Sequence, residues 1–178
     1  MLNIDDSVLI IIDIQEKLVN SVGKYSPLEK AVKLAKAANI LNIPAIITEQ
    51  YPKGLGETLS ELRQALGKNF SIEKTSFSAL RTPEFVEKLE SLGKKQVVIC
   101  GIEAHICVYQ TICDLLEKGY EVCFVKDASA SRNKYEFKAG VDLIKQLGAK
   151  VSCCEIVLFE WLKTSKHPDF KEIQSLIK

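Results

Sequence analysis

Short apolar runs alternate with longer stretches of helical periodicity, and this alternation restricts the possible folds more than any other feature. The predicted strands are Val8–Ile12, Ala45–Thr48, a weaker one near Phe70–Ile72, Val97–Cys100, Val122–Val125 and Val151–Cys153. Helices are predicted over Pro27–Leu41, Pro83–Leu92, Ile106–Lys118, Tyr135–Leu147 and near the C-terminus. Repeated β–α units with continuously apolar strands are typical of a parallel sheet covered on both faces. We therefore predict one domain over residues 1–178, with an α/β fold of three α/β/α layers around a parallel sheet of about six strands.

Charge and hydropathy narrow the range of partners. Lys and Arg number 24 against 23 Asp and Glu, so no basic surface for nucleic acid or an anionic membrane is expected. No apolar stretch reaches the ~18–20 residues of a membrane span. The acidic segment Met1–Asp6 lacks the pattern of a signal peptide. These features favour a cytoplasmic protein with a small-molecule substrate.

The six cysteines do not indicate a metal site or a disulfide framework. None of them forms a C-x-x-C pair, and the histidines are His105 and His167 alone, so the spacing of a tetrahedral zinc site is missing. A chain of this length has core enough not to need disulfides. We expect five reduced cysteines in or beside the core, one cysteine with a chemical role, and no metal or cofactor.

Cys107 is the cysteine with the strongest chemical signal. The apolar run Gln96–Cys100 is followed by Gly101 and then by a predicted helix, so Cys107 falls at a helix N-terminus. There the helix dipole and the unsatisfied N–H groups favour thiolate, and we expect the thiol pKa to fall from about 8.5 towards neutrality. The alternative is that Cys107 is a small buried hydrophobic residue.

Two ionisable residues are candidate partners of this thiol. Asp13 directly follows the strand Val8–Ile12, at the edge of a parallel sheet where ligands collect. Lys74 lies in a loop-like stretch after Phe70. An aspartate, a lysine and a cysteine can provide a nucleophile, an acid/base and a cation. Alternatively, Asp13 caps a helix, and Lys74 pairs with Glu73 or lies in solvent.

Three segments together resemble a known family. Asp13–Gln15, Glu73–Ala79 and Gly101–Val108 are similar to the signature blocks of the isochorismatase-like cysteine hydrolases, in the family's order and at about its separations. The likeness extends from the first strand to about Cys154. Thr48–Gly56 further resembles the branch called isochorismatase domain-containing proteins, and the resemblance implies the same α/β/α fold with Rossmann-like topology.

The resemblance also implies a mechanism. Cys107 would attack an amide, ester or related carbon to form a covalent thioester-type intermediate. Asp13 would accept the thiol proton and later activate water, while Lys74 would hold Asp13 ionised. The backbone N–H groups of Glu103 and Cys107 would form the oxyanion hole. In this family the peptide bond before the Glu103 position is cis.

Three residues are expected to line the substrate pocket because of their positions. Gln15 shares the strand-end turn with Asp13, and Phe77 follows Lys74 by three residues. Tyr51 begins the glycine- and proline-containing stretch Tyr51–Gly56, which is suited to a loop over the site.

Several alternatives remain open at this point. A Rossmann-type nucleotide binder would need a glycine-rich turn after the first strand, and Asp13–Lys17 has none. Metal-dependent nicotinamidases carry Asp-x-His after the second strand, where this chain has Glu49-Gln50-Tyr51. Cleavage of a vinyl ether such as isochorismate needs no nucleophile, so Cys107 favours covalent hydrolysis. A catalytically idle, oligomeric binding or scaffold protein of the same fold is the rival from another functional class.

The C-terminal third carries aromatic and apolar residues beyond what one buried helix face requires. They are Phe159, Trp161, Leu162 and Phe170. Exposed aromatics are enriched at protein interfaces, and members of the family are usually homo-oligomers. We therefore expect a homo-oligomer to which the C-terminal segment contributes. The alternative is that Trp161 only seals the edge of the sheet.

Overall fold

A computed structural model describes residues 1–67 and 71–178, and within them six strands form one sheet. The strands are β1 (Ser7–Ile12), β2 (Ala45–Gln50), β3 (Ile72–Lys74), β4 (Gln96–Ile102), β5 (Glu121–Ala130) and β6 (Lys150–Ser152). The helices are α1 (Glu16–Val22), α2 (Leu28–Ile40), α3 (Pro52–Leu55), α4 (Ser60–Leu66), α5 (Pro83–Ser91), α6 (Tyr109–Glu117), α7 (Lys134–Gln146), α8 (Cys154–Leu162) and α9 (Phe170–Ser175). All strand pairs are parallel, in the order β3-β2-β1-β4-β5-β6. The predicted α/β fold is confirmed.

The central strand β1 explains why both faces of the sheet need helices. All six of its residues are buried. Because side chains alternate between the faces of a strand, Leu9 and Ile11 join one core cluster, while Val8, Ile10 and Ile12 join the other. The first cluster packs against α2, α4 and α8, and the second against α5, α6 and α7. Two apolar layers therefore hold the sheet between helices.

The strand order places a crevice beside β1. From β1 the chain proceeds outward to β2 and β3 on one side, and then to β4, β5 and β6 on the other. In open parallel sheets, ligands bind at the carboxyl ends of the strands where the order reverses in this way. Here that point lies between β1 and β4, whose carboxyl ends lead to Asp13 and to the segment carrying Cys107.

The structure adds detail that the apolar pattern did not predict. The short helices α1, α3 and α4 were not predicted. The helix predicted over Ile106–Lys118 begins instead as a π-helical turn, Ala104–Val108, which continues into α6. The weak strand expected near Phe70–Ile72 is observed from Ile72 to Lys74, and Phe70 lies outside the described residues.

Trp161 is not one of the exposed aromatic residues on which the expectation of a homo-oligomer was based. Its side chain is only 1% exposed, within the core cluster that also contains Leu162, and its indole Nε1–H donates to Ser7 Oγ at 3.0 Å. The burial of α8 against α2 and β5 supplies this cover. Trp161 therefore seals the fold of one chain and gives no support for an oligomer. Within residues 1–67 and 71–178, the structure has no helix with the length and apolar character needed to cross a membrane.

Candidate active site

Asp13 and Lys74 form an ion pair at the carboxyl edge of the sheet. Lys74 Nζ donates to Asp13 Oδ2 at 2.7 Å, and both side chains are fully buried. Asp13 directly follows β1, with a φ of 52° that aspartate tolerates better than most residues. Lys74 is the last residue of β3, opposite Gln50 of β2, so its prediction as a loop residue is wrong. Strand pairing across β2 thus brings the two charges together.

Oxygen atoms surround the buried ammonium group of Lys74. Besides Asp13, Nζ contacts Gln50 Oε1 at 2.7 Å and the carbonyl oxygens of Ser76 and Phe77 at 3.3 and 3.1 Å. An ammonium has three protons and no acceptor, so these contacts satisfy it only in its charged form. The arrangement favours a fixed positive charge beside Asp13.

Two residues of the site, Thr48 and Gln50, were not predicted. The hydroxyl of Thr48 donates to Asp13 Oδ1 at 2.7 Å, and Gln50 binds Lys74 as described above. Both belong to β2, where Thr48 pairs with Ile12, and residues two apart in a strand share one face. The alternation of Thr48 and Gln50 with Glu49 in the sequence indicates that the two residues share one face of β2. That this face meets Asp13 follows only from the register between β1 and β2.

Glu49, which lies between these two residues, has a structural role. Its carboxylate accepts from the Thr58 amide at 2.6 Å and from Arg63 at 2.7 Å. Burial raises its pKa, but these hydrogen bonds outweigh it and lower the pKa of Glu49 overall. The residue therefore anchors α4 to β2.

Cys107 lies in the π-helical turn Ala104–Val108 and is only 6% exposed. The Ile102–Glu103 peptide bond that precedes this turn is cis, as the family resemblance implied. The Glu103 carbonyl accepts from the amides of Ile106 and Val108 at 3.1 and 3.2 Å, which closes the turn. π-Helical turns occur frequently at functional sites.

Thr111 joins the Cys107 turn to the segment that follows Lys74. Its hydroxyl donates to the Cys107 carbonyl at 2.6 Å and accepts from the Ala79 amide at 3.1 Å. Both hydrogen bonds are buried, so the two halves of the site are held by a single side chain.

The expectation of a low thiol pKa is wrong. Burial raises the pKa of Cys107 to about 12; the negative charge of Asp13 adds to the increase, and Lys74 opposes it. Burial also raises the pKa of Asp13, against the opposing effects of Lys74, Thr48 and Cys107. The helix dipole predicted a thiolate, but loss of solvation outweighs it in this buried turn. The resting thiol is therefore protonated, and it must lose this proton before it can act as a thiolate.

The three expected pocket residues have different environments. Gln15 is buried and fully engaged: it accepts from the Gln50 amide and donates to the carbonyls of Gln50 and Gly56. It fixes the Tyr51–Gly56 segment rather than offering a group to a ligand. Tyr51 and Phe77 are 56% and 52% exposed, and Phe77 meets the site through its carbonyl.

A groove of about 390 Å³ opens beside β3. Its lining includes Tyr51, Lys74, Ser76 and Arg81, but neither Asp13 nor Cys107. Another cavity, of about 460 Å³, is lined by Tyr25, Lys126, Ser131 and Phe137, among others, and by none of Asp13, Lys74 and Cys107. Of these two cavities, the groove beside β3 is the one that touches the Asp13–Lys74 pair, through Lys74. In the part of the chain that the structure describes, no three His, Cys, Asp or Glu side chains are arranged to bind a metal ion.

Comparison with known proteins identifies the family. The profile of the isochorismatase domain matches residues 7–156. Isochorismatase domain-containing protein 2 of Xenopus laevis is 42% identical over 173 residues, which cover 96% of this chain and 83% of that protein.

Solved structures agree with this similarity. The MAR1 ribonuclease of Caenorhabditis elegans has a TM-score of 0.93 and 39% identity, covering 99% of this chain and 91% of that one. YcaC of Pseudomonas aeruginosa, solved with covalent acrylamide, has a TM-score of 0.91 and 26% identity over 98% of this chain and 90% of its own. Its Escherichia coli counterpart, described as an octameric hydrolase of unknown specificity, shares the fold at 23% identity and a TM-score of 0.88, covering 98% and 94% of the two chains.

Proposed function

The chain belongs to the isochorismatase family, and we propose that it is a hydrolase in which Cys107 attacks a small amide or a related carbonyl compound. The observation that carries this proposal is the fully buried Asp13–Lys74 pair, whose charges act on the pKa of the Cys107 thiol. Burying a charged pair is costly unless its geometry is good, and a catalytic role at the edge of the sheet that also carries the Cys107 turn would account for this pair.

In the first half of the reaction, Cys107 Sγ attacks the carbonyl carbon while its proton passes to Asp13. The carbonyl electron pair moves to oxygen, and the backbone N–H groups of Glu103 and Cys107 are proposed to bind this oxyanion. When the tetrahedral intermediate collapses, the C–N bond breaks and the departing amine takes the proton from Asp13. The product of this half is a thioester on Cys107.

In the second half, water attacks the thioester carbon and gives a proton to Asp13. Collapse breaks the C–S bond, the sulfur regains the proton, and the carboxylic acid leaves. Lys74 keeps its charge throughout and holds Asp13 in place. The raised pKa of Cys107 fits this sequence because the proton moves only as the sulfur attacks.

A panel of small amides and activated esters tests the proposal. Wild-type protein should release ammonia or amine from the amides and alcohol from the esters, and mass spectrometry should find an acyl group on Cys107. Cys107→Ala should abolish both signals, and Asp13→Asn should lower turnover by at least about 100-fold, since general-base catalysis contributes about 10²–10⁴-fold. Cys113→Ala, a change on the outer helix α6, is the matched control. Turnover that survives Cys107→Ala would refute the mechanism.

Other outcomes of the same assay would favour the alternative functions. Turnover of a vinyl ether without a Cys107 adduct would favour the isochorismate-type reaction. Cleavage of RNA would favour the activity for which the C. elegans relative is named, although the near-neutral charge of this chain gives no observation in its favour. Binding without turnover would favour an idle scaffold.

We also propose that the protein assembles as a homo-oligomer through α8. Ile156 and Phe159 lie three residues apart on this helix and are exposed, although most of its other apolar residues are buried. Light scattering at micromolar concentration should give a multiple of 19.9 kDa, and Ile156→Asp should reduce it. A wild-type mass of one chain would refute the proposal.

A further inference from the structure

His105 connects three elements around the turn that carries the nucleophile. Its Nδ1 lies 2.9 Å from Ser131 Oγ and 3.2 Å from Glu103 Oε2, and its Nε2 lies 3.2 Å from Glu136 Oε2. Ser131 follows the end of β5, and Glu136 belongs to α7. The imidazole is largely buried and sits between two carboxylates.

Helix α7 packs directly against this histidine. Glu136 and Gly140 are four residues apart and so share one face of α7. A Cβ added at Gly140 would lie 2.9 Å from both Cα and Cβ of His105, closer than real Cβ contacts allow. Only glycine permits this approach, and the contact fixes the position of the His105 backbone as well as its ring.

Glu103 is the residue of the cis peptide bond whose side chain lies beside the His105 ring. Oε2 of its buried carboxylate accepts a hydrogen bond from the Arg132 amide at 3.3 Å. Oε1 makes no hydrogen bond within the described residues. The Arg132 guanidinium is 3.8 Å from Oε1 and largely exposed. Besides Arg132, the His105 ring contacts this carboxylate: Nδ1 lies 3.2 Å from Oε2 and is held in place by its shorter contact with Ser131 Oγ.

We propose that His105 is a positioning residue that clamps the Glu103 side chain and thereby aligns the Glu103 amide as an oxyanion donor. The inference rests on the proposed function, because it requires an oxyanion to form at the carbon attacked by Cys107. In this role His105 transfers no proton. Loss of its ring should impair reactions that create an oxyanion and spare those that do not.

Two reagents that use the same thiol separate these cases. p-Nitrophenyl acetate acylates a cysteine through a tetrahedral oxyanion, whereas iodoacetamide alkylates it by direct displacement without one. The rates of both reactions at Cys107 are measured by peptide mass spectrometry in wild type, His105→Phe and His105→Gln. His167→Phe, the same substitution at the other histidine, is the matched control.

Removing one oxyanion donor costs about 10²–10³-fold, so a displaced donor should cost less. We expect His105→Phe to slow acylation about 10- to 100-fold while alkylation changes by less than about twofold. His105→Gln, which keeps an N–H donor, should recover part of the loss. Equal effects on both reactions, or no effect on acylation, would overturn the inference. A wild-type Cys107 that is alkylated but never acylated would instead refute the hydrolase proposal, and this inference with it.

Discussion

Removing the positive charge of Lys74 should be among the most destabilising single changes in the chain. Lys74→Met leaves the buried Asp13 carboxylate with the Thr48 hydroxyl and the Cys107 thiol as its polar partners. Breaking a buried pair by removing one partner costs about 3–5 kcal/mol. At about 2–4 °C per kcal/mol for a chain of this size, the midpoint of thermal unfolding should fall by about 6–20 °C.

The cost of Lys74→Met should also depend on pH. Burial already raises the pKa of Asp13, and removing the lysine removes the largest opposing effect. In Lys74→Met, the pKa of Asp13 in the folded state then lies further above its value in the unfolded state. As pH rises, Asp13 therefore keeps its proton in the native state after the unfolded state has released it. Stability is therefore retained at acid pH and lost as pH rises through the folded pKa. Urea unfolding at pH 5 and pH 8, followed by Trp161 fluorescence, should show the greater loss at pH 8.

Two comparisons make this reasoning refutable. Lys33 pairs with Glu29 at 2.8 Å, nearly the same distance, but Glu29 is 73% exposed, so Lys33→Met should cost much less than Lys74→Met. The double variant Asp13→Asn/Lys74→Met buries no charge and should be more stable than Lys74→Met alone. A Lys74→Met cost no greater than that of Lys33→Met, or a double variant less stable than Lys74→Met, would refute the account.

Three further outcomes are expected. Gly140→Ala should cost about 1–3 kcal/mol by overpacking against His105 and should slow acylation of Cys107; unchanged thermal unfolding would contradict the close contact. The stability advantage of wild type over Glu49→Gln should be full above about pH 4.5 and shrink as pH falls through the lowered folded pKa; a constant difference in urea unfolding would exclude this role. Alkylation of Cys107 by iodoacetamide should keep accelerating above pH 8.5, because burial raises the thiol pKa to about 12; a plateau near neutrality would contradict the protonated resting state.

The parts of the site that follow directly from strand ends were predictable from the chain alone. Asp13 and the Cys107 segment follow neighbouring strands, and parallel strands bring their carboxyl ends to one edge. The position of Lys74 at the end of a strand was not predictable in this way. Its short strand is only three residues long, and its contact with Asp13 depends on pairing across β2.

Burial explains the two clearest errors. A local pattern shows that Cys107 begins a helix, but it does not show that the turn is buried beside a carboxylate, and burial decides the pKa. Likewise, the aromatic character of Trp161 is visible in the sequence, whereas its partner Ser7 is 154 residues away. Both properties depend on contacts between distant segments, which periodicity does not encode.

The charges of the buried site explain why a protonated thiol suits this arrangement. With Lys74 charged, Asp13 ionised and Cys107 protonated, the three groups carry no net charge. Losing the thiol proton to solvent would leave one uncompensated negative charge in a buried environment, which is costly. Passing the proton from Cys107 to Asp13 keeps the total at zero, since Lys74 then balances the thiolate. The proposed internal transfer would therefore avoid most of the desolvation cost that raises the pKa of Cys107, and the sulfur would become nucleophilic only while Asp13 holds its proton.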